Sequence, residues 1–199
     1  MSKSPYLSAS GISIQINEPL ILFRGAKLIR LASSVSLFIS LTGCGMISAV
    51  KSFSTPYATP EGVETARLRI ITDGMVRGIP NSDCIDFRLP GAGVMVVARD
   101  GYANRNAESL GMPPSSYSEA PGARSELLIA AGQPIAFHYN GNRCYNMFTF
   151  VPAAGVDYEL KASDGPICSV TILRSTPNSS KKSYEPLKDS KLCRVLDNL

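Results

Sequence analysis

The sequence predicts an all-β protein, an antiparallel β-sandwich of about seven to eight strands. Three observations support this. Turn signals recur roughly every 8–12 residues across 63–175, a spacing that suits short strands. Gly (16) and Pro (14) are frequent while blocks of strong helix formers are scarce. Glu64 to Thr72 alternates apolar Ala66, Leu68 and Ile70 with polar Thr65, Arg67 and Arg69, the pattern of a strand with one buried face.

The strands follow in order. The first ends at the turn Asp73-Gly74. Asp83 to Leu89 and Gly93 to Arg99 read as the next two, separated by Pro90-Gly91, and Asp100-Gly101 closes the latter. Ser125 to Ala130 and Pro134 to Tyr139 flank an Ala-Gly-Gln-Pro turn. Asn140-Gly141 is a hairpin signal before Arg143 to Val151, because both residue types accept the positive φ such a turn needs. Val156 to Ala162 and Ile167 to Arg174 are divided by Asp164-Gly165. Within this run, Phe148 to Gly155 followed by Tyr158, Glu159 and Leu160 resembles the closing hairpin of transthyretin-like or carboxypeptidase-regulatory-like sandwiches. Phe148 and Phe150 share a face there and read as core aromatics. Residues 176–199 form a polar, Lys- and Ser-rich tail expected to wrap the domain loosely.

The net charge of +4 divides unevenly. Lys3, Arg24, Lys27 and Arg30 against Glu18 place +3 in residues 1–44; 16 basic and 15 acidic side chains remain, so the rest is nearly neutral. Nucleic-acid binding, which needs clustered Lys and Arg, is not indicated. Arg24, Lys27 and Arg30 lead into an apolar stretch from Leu28 to Leu41, diluted by serines. It is too short for a membrane helix of roughly 20 apolar residues and has the order of a secretory signal.

That stretch ends in Leu41-Thr42-Gly43-Cys44, which resembles a bacterial lipobox. The resemblance implies that residues 1–43 are a signal peptide cut before Cys44, and that a diacylglyceryl group is attached to the Cys44 thiol. It also implies acylation of the new amine by a fatty acid such as palmitate. Gly45, in place of Asp, resembles the sorting signal of outer-membrane lipoproteins on the periplasmic face. An uncleaved signal anchor is the alternative, and residues 1–23 could reflect a start assigned too far upstream. Residues 44–62, rich in Ser, Thr and Pro, read as a flexible tether between lipid and domain, residues 63–175 as the sandwich. The membrane is thus an expected partner, through the N-terminal lipid.

Besides Cys44 there are Cys84, Cys144, Cys168 and Cys193. An even set in an exported domain points to two disulfides. Of three connectivities, Cys84–Cys144 with Cys168–Cys193 is favoured: one staples two strands, the other pins the tail. Zinc is disfavoured by the lack of a close cysteine pair and by a single histidine.

No catalytic constellation, metal site or cofactor is expected. His138, the only histidine, alternates with Ile135, Phe137 and Tyr139 so as to face solvent, and no Gly-x-Ser-x-Gly elbow accompanies it. Asp73, Asp83, Asp86 and Asp100 sit where turn chemistry places them. The one long loop, Asp100 to Arg124, carries Tyr102, Arg105, Met112 and Tyr117, residue types enriched at interaction hot spots. It is the candidate interaction loop. The expectation is therefore a membrane-anchored cell-envelope lipoprotein whose non-catalytic sandwich binds an envelope protein or polymer, or serves structurally. An envelope hydrolase or an inhibitor of one, or an accessory lipoprotein of a secretion system, are the competing classes.

Overall fold

The computed structural model describes residues 53–118, 120–176 and 181–194. The signal segment, Leu41, Thr42, Gly43 and Cys44, the tether up to residue 52 and parts of the tail lie outside the described residues. The described residues all belong to one compact unit, Gly43–Leu199.

Among the described residues, ten strands form two five-stranded sheets. In chain order they are β1 (Thr65–Thr72), β2 (Met75–Pro80), β3 (Gly93–Val97), β4 (Ala123–Ala130), β5 (Ile135–Asn140), β6 (Tyr145–Phe150), β7 (Asp157–Ser163), β8 (Ser169–Ser175), β9 (Ser183–Tyr184) and β10 (Lys188–Asp189). The first sheet runs β4-β1-β7-β8-β9 and the second β10-β6-β5-β2-β3. The expected sandwich is present. All neighbours are antiparallel except β1 and β7, a parallel pair whose partners are separated by most of the second sheet.

The core lies between the sheets. Ala66, Leu68 and Ile70 of β1, Leu127 and Ile129 of β4 and Tyr158 and Leu160 of β7 meet Val76, Phe137, Tyr139, Phe148 and Phe150 of the second sheet. The alternation in β1 thus points inward as the sequence indicated. Phe148 and Phe150 are core aromatics, with ring centroids 5.1 and 5.8 Å from that of Phe137. β5 and β6 form the expected hairpin, but through the four residues 141–144, with the Gly141 amide donating to the Cys144 carbonyl; neither Asn140 nor Gly141 takes the positive φ of a two-residue turn.

Five expectations are corrected. Met75–Pro80 is a central strand, although the sequence marks it only with Gly78 and Pro80, both poor strand formers. Gly78 is required there: a Cβ would stand 2.7 Å from the Met95 sulfur and 3.2 Å from the Tyr57 ring. Asp83 to Leu89 is not a strand. It is a series of turns that lays Ile85, Phe87 and Leu89 over the outer face of the second sheet against Ile79, Ala92 and Ala136.

β6 and β7 lie in different sheets, so Phe148 to Leu160 crosses the sandwich and does not form a hairpin. The latter part of the tether is packed: Tyr57 is 2 % exposed, and Thr55 and Tyr57 hydrogen-bond to Val94. Gly93 permits this approach, since a Cβ there would lie 2.5 Å from the Pro56 backbone.

The disulfides, finally, are Cys84–Cys193 and Cys144–Cys168, with Cα separations of 5.0 and 5.5 Å. The favoured pairing failed because Cys84 is not in a strand, so no strand pairing could bring it to Cys144. The tail is pinned, but to Cys84. It joins both sheets through β9 and β10, with the Ile85 amide donating to Lys191 and the Cys193 amide to Ile85.

Two predictions follow from this topology. Peptide mapping without reduction should recover Cys84 linked to Cys193 and Cys144 linked to Cys168. Replacing Cys84 and Cys193 together with Ser should lower the unfolding free energy in urea by about 3–5 kcal/mol, since that bond closes the longer loop.

Candidate functional site

The 98–122 connection is held over the outer face of the first sheet. That face carries an ion-pair ladder set by strand register. Arg69 of β1 lies directly across from Glu126 of β4 on one side and Glu159 of β7 on the other. Its guanidinium donates to Glu126 from Nε (3.0 Å) and Nη2 (2.5 Å), and to Glu159 from Nη1 (2.9 Å). All three residues are buried. Arg67 makes a bidentate pair with Asp157, both bonds 2.7 Å.

The loop docks on the remaining lone pairs. Glu126 accepts from the amides of Leu110 (2.6 Å) and Met112 (3.1 Å), Glu159 accepts from the amide of Ser116 (2.9 Å), and Arg69 Nη2 donates to the Met112 carbonyl (3.1 Å). Burial pushes the Glu126 and Glu159 carboxyls up, but these bonds and the Arg69 charge outweigh it and hold both below the ordinary carboxylate value. Arg69 likewise loses by burial and gains more from its two carboxylates, so its pKa is raised.

The four loop residues named from sequence do not form one surface. Arg105 pairs with Glu108 and donates to the Tyr57 carbonyl and the Thr59 hydroxyl, fastening the incoming chain. Met112 is anchored through its backbone. Tyr117 lies under the Lys161 ammonium, 4.9 Å from the ring centroid. Only Tyr102 among them reaches an end of the sandwich, where its ring stands 6.0 Å from that of Phe53.

That end is built by register. Thr72 pairs with Ala123 and Ala162, Met75 with Val97 and Asn140, Asn140 with Tyr145, and Ser163 with Ser169. The β1–β2, β5–β6 and β7–β8 turns therefore cluster together. The Asp73 carboxylate accepts from the Tyr139 hydroxyl (2.7 Å) and the Asp164 amide (3.0 Å), and the Cys144–Cys168 disulfide ties one hairpin to the other. A cavity of about 160 Å³ opens beside the cluster, lined by Phe53, Met75, Val97, Arg99, Tyr102 and Asn140. The sequence carried no signal for Phe53 as its wall.

His138 does not face solvent freely. Its Nδ1 lies 2.9 Å from Arg77 Nη2, and Phe87 packs over it edge-on. The Arg77 guanidinium stands 3.5 Å from the Phe87 ring centroid and 4.4 Å from that of Phe53. The alternation rule put His138 on the outer face of its sheet correctly; the segment covering that face was not legible. Burial, with the Arg77 charge adding to it, pushes the His138 pKa down to about 3, and burial pushes Arg77 down to about 9. An imidazole so held accepts a hydrogen bond and is poorly placed to shuttle protons.

Cys144, Asp164 and Cys168 bring three potential ligand atoms within 4.8 Å of one another. Two of these are the sulfurs of a disulfide, and zinc-type ligation needs thiolates. The cleft beside Arg69, about 10 Å³, is at most water-sized. Comparison with known proteins found no matching family model, no similar curated protein and no similar solved structure.

Glu126→Gln should destabilise the fold by about 3 kcal/mol, because it leaves the buried Arg69 with one anionic partner. Urea titration measures the loss, and limited proteolysis should show faster cleavage within residues 100–122. For pH, the folded pKa of His138 lies below its unfolded value of 6.5, so the unfolded chain binds the extra proton and stability falls as pH drops below 6.5. Down to about pH 5.5, below which the glutamates also contribute, wild type should lose up to about 1.4 kcal/mol per pH unit and His138→Gln should show a flat profile.

Proposed function

We propose that this chain is a cell-envelope lipoprotein, anchored to a membrane through Cys44, whose β-sandwich is a non-catalytic binding or structural module. The observation that carries this reading is the cysteine pairing. Five cysteines are present, and four close two disulfides, leaving Cys44 outside them. Two disulfides fit an oxidising compartment such as the periplasm, to which the charged, apolar segment before Cys44 would direct the chain. Leu41, Thr42 and Gly43 supply the aliphatic and small residues that a lipobox-type cleavage needs, and Gly45 favours the outer membrane. The engagement of the only histidine with Arg77 supports a non-catalytic role, since a serine or cysteine nucleophile would need that imidazole as base.

Partner binding to an envelope protein or polymer is better sought at the turn cluster than along the 98–122 connection, most of whose named side chains are spent inside the fold. Removing residues 103–122 would strip Glu126 and Glu159 of their amide donors and so test stability before function.

The anchor is tested directly. In bacteria fed an alkyne-tagged palmitate, the wild-type chain should become labelled and Cys44→Ser should not. The intact mass of the mature protein should begin at residue 44 and include a diacylglyceryl group. A mature chain retaining residues 1–43, or an unmodified cysteine at its start, would overturn the reading.

A further inference from the structure

The chain enters the sandwich at the turn-cluster end. Phe53, the first described residue, lines the cavity there with Met75, Val97 and Asn140, and its carbonyl accepts from the Ala103 amide. This same end exposes large apolar side chains beside the Cys144–Cys168 disulfide: Ile167 is 83 % exposed and Tyr145 67 %, while Tyr102 is 39 % exposed next to Phe53. Ile167 follows Pro166 in the β7–β8 turn, and its neighbour Cys168 is fixed to Cys144, so the tip is rigid and loses little freedom on contact.

We propose that this end rests on the bilayer, with Ile167 inserted among the headgroups and Tyr145 and Tyr102 at the lipid–water boundary. The inference rests on the lipid-anchor reading and adds an orientation to it. Eight residues lie between Cys44 and Phe53, a span of nine peptide units. Fully extended they reach about 30 Å, and a random coil of that length averages about 15–18 Å. A lipid on Cys44 therefore keeps the turn cluster close to the membrane. Strands of up to eight residues, roughly 26 Å long, hold the opposite end, with Val63 and Val151, away from it.

The chemistry of the patch suits lipid. Tyrosine has an apolar body and a polar tip, and it concentrates at membrane interfaces. Arg99 and Arg143 are exposed at the same end, where long cationic side chains can reach headgroup phosphates. Of the acidic groups there, Asp164 is paired with Arg143 at 3.7 Å, while Asp73 accepts from neutral donors and Asp100 is exposed beside Arg99.

The chain has no Trp, so a single introduced Trp is a clean reporter. The mature lipidated proteins carrying Ile167→Trp and Val151→Trp would be reconstituted in phosphatidylethanolamine–phosphatidylglycerol vesicles with brominated acyl chains. Trp emission should be quenched and blue-shifted at 167 and unaffected at 151, with iodide quenching in the reverse order. If the protein floats with vesicles but both positions quench alike with iodide, the orientation is overturned and the anchor stands. Shielding of 167 from iodide without bromolipid quenching means that protein covers the patch, which also overturns it. If the protein does not float with vesicles, the anchor reading fails and the orientation falls with it.

Discussion

Arg69 is placed between two glutamates by nothing more than strand register, yet much of the molecule is organised around its charge. A lone buried guanidinium would be costly, and two carboxylates on adjacent strands offset that cost. Two carboxylates around one cation leave lone pairs to spare, and the 98–122 connection satisfies them with the amides of Leu110, Met112 and Ser116. Lys182 of the tail adds a cation 3.7 Å from Glu159 and donates to the Ser116 hydroxyl at 2.8 Å. Two pieces of chain far apart in sequence are thereby fixed to one sheet face.

The other sheet solves the same problem with different chemistry. Its outer face is covered by Ile85, Phe87 and Leu89, and the Cys84–Cys193 bond fastens this cover to the tail. Arg77, on that face, lies against aromatic rings and an imidazole. The low pKa of His138 is the cost of that arrangement.

The turn-cluster end joins three features that are separate in the chain: the point where Phe53 enters the sandwich, a disulfide that ties two hairpins together, and exposed Ile167 and Tyr145. Each has a local explanation. Together they motivate the proposed orientation toward a membrane.

The sequence by itself determined the β character, the inward face of β1, the existence of the β5–β6 hairpin, the core role of Phe148 and Phe150, and an even set of four cysteines after Cys44 that closes two disulfides. These are local matters: period-two alternation, turn-forming residues and composition act within a few residues. Only the tertiary structure decided the rest. Met75–Pro80 becomes a strand because β3 and β5 pair with it on both sides, overriding Gly78 and Pro80. The outward-facing Arg69, Arg77 and His138 look solvated until segments far along the chain cover them. The disulfide partners depended on where the tail returns, 109 residues after Cys84. Burial of a sheet's second face is a long-range outcome, and an alternating pattern reports only which residues share a face.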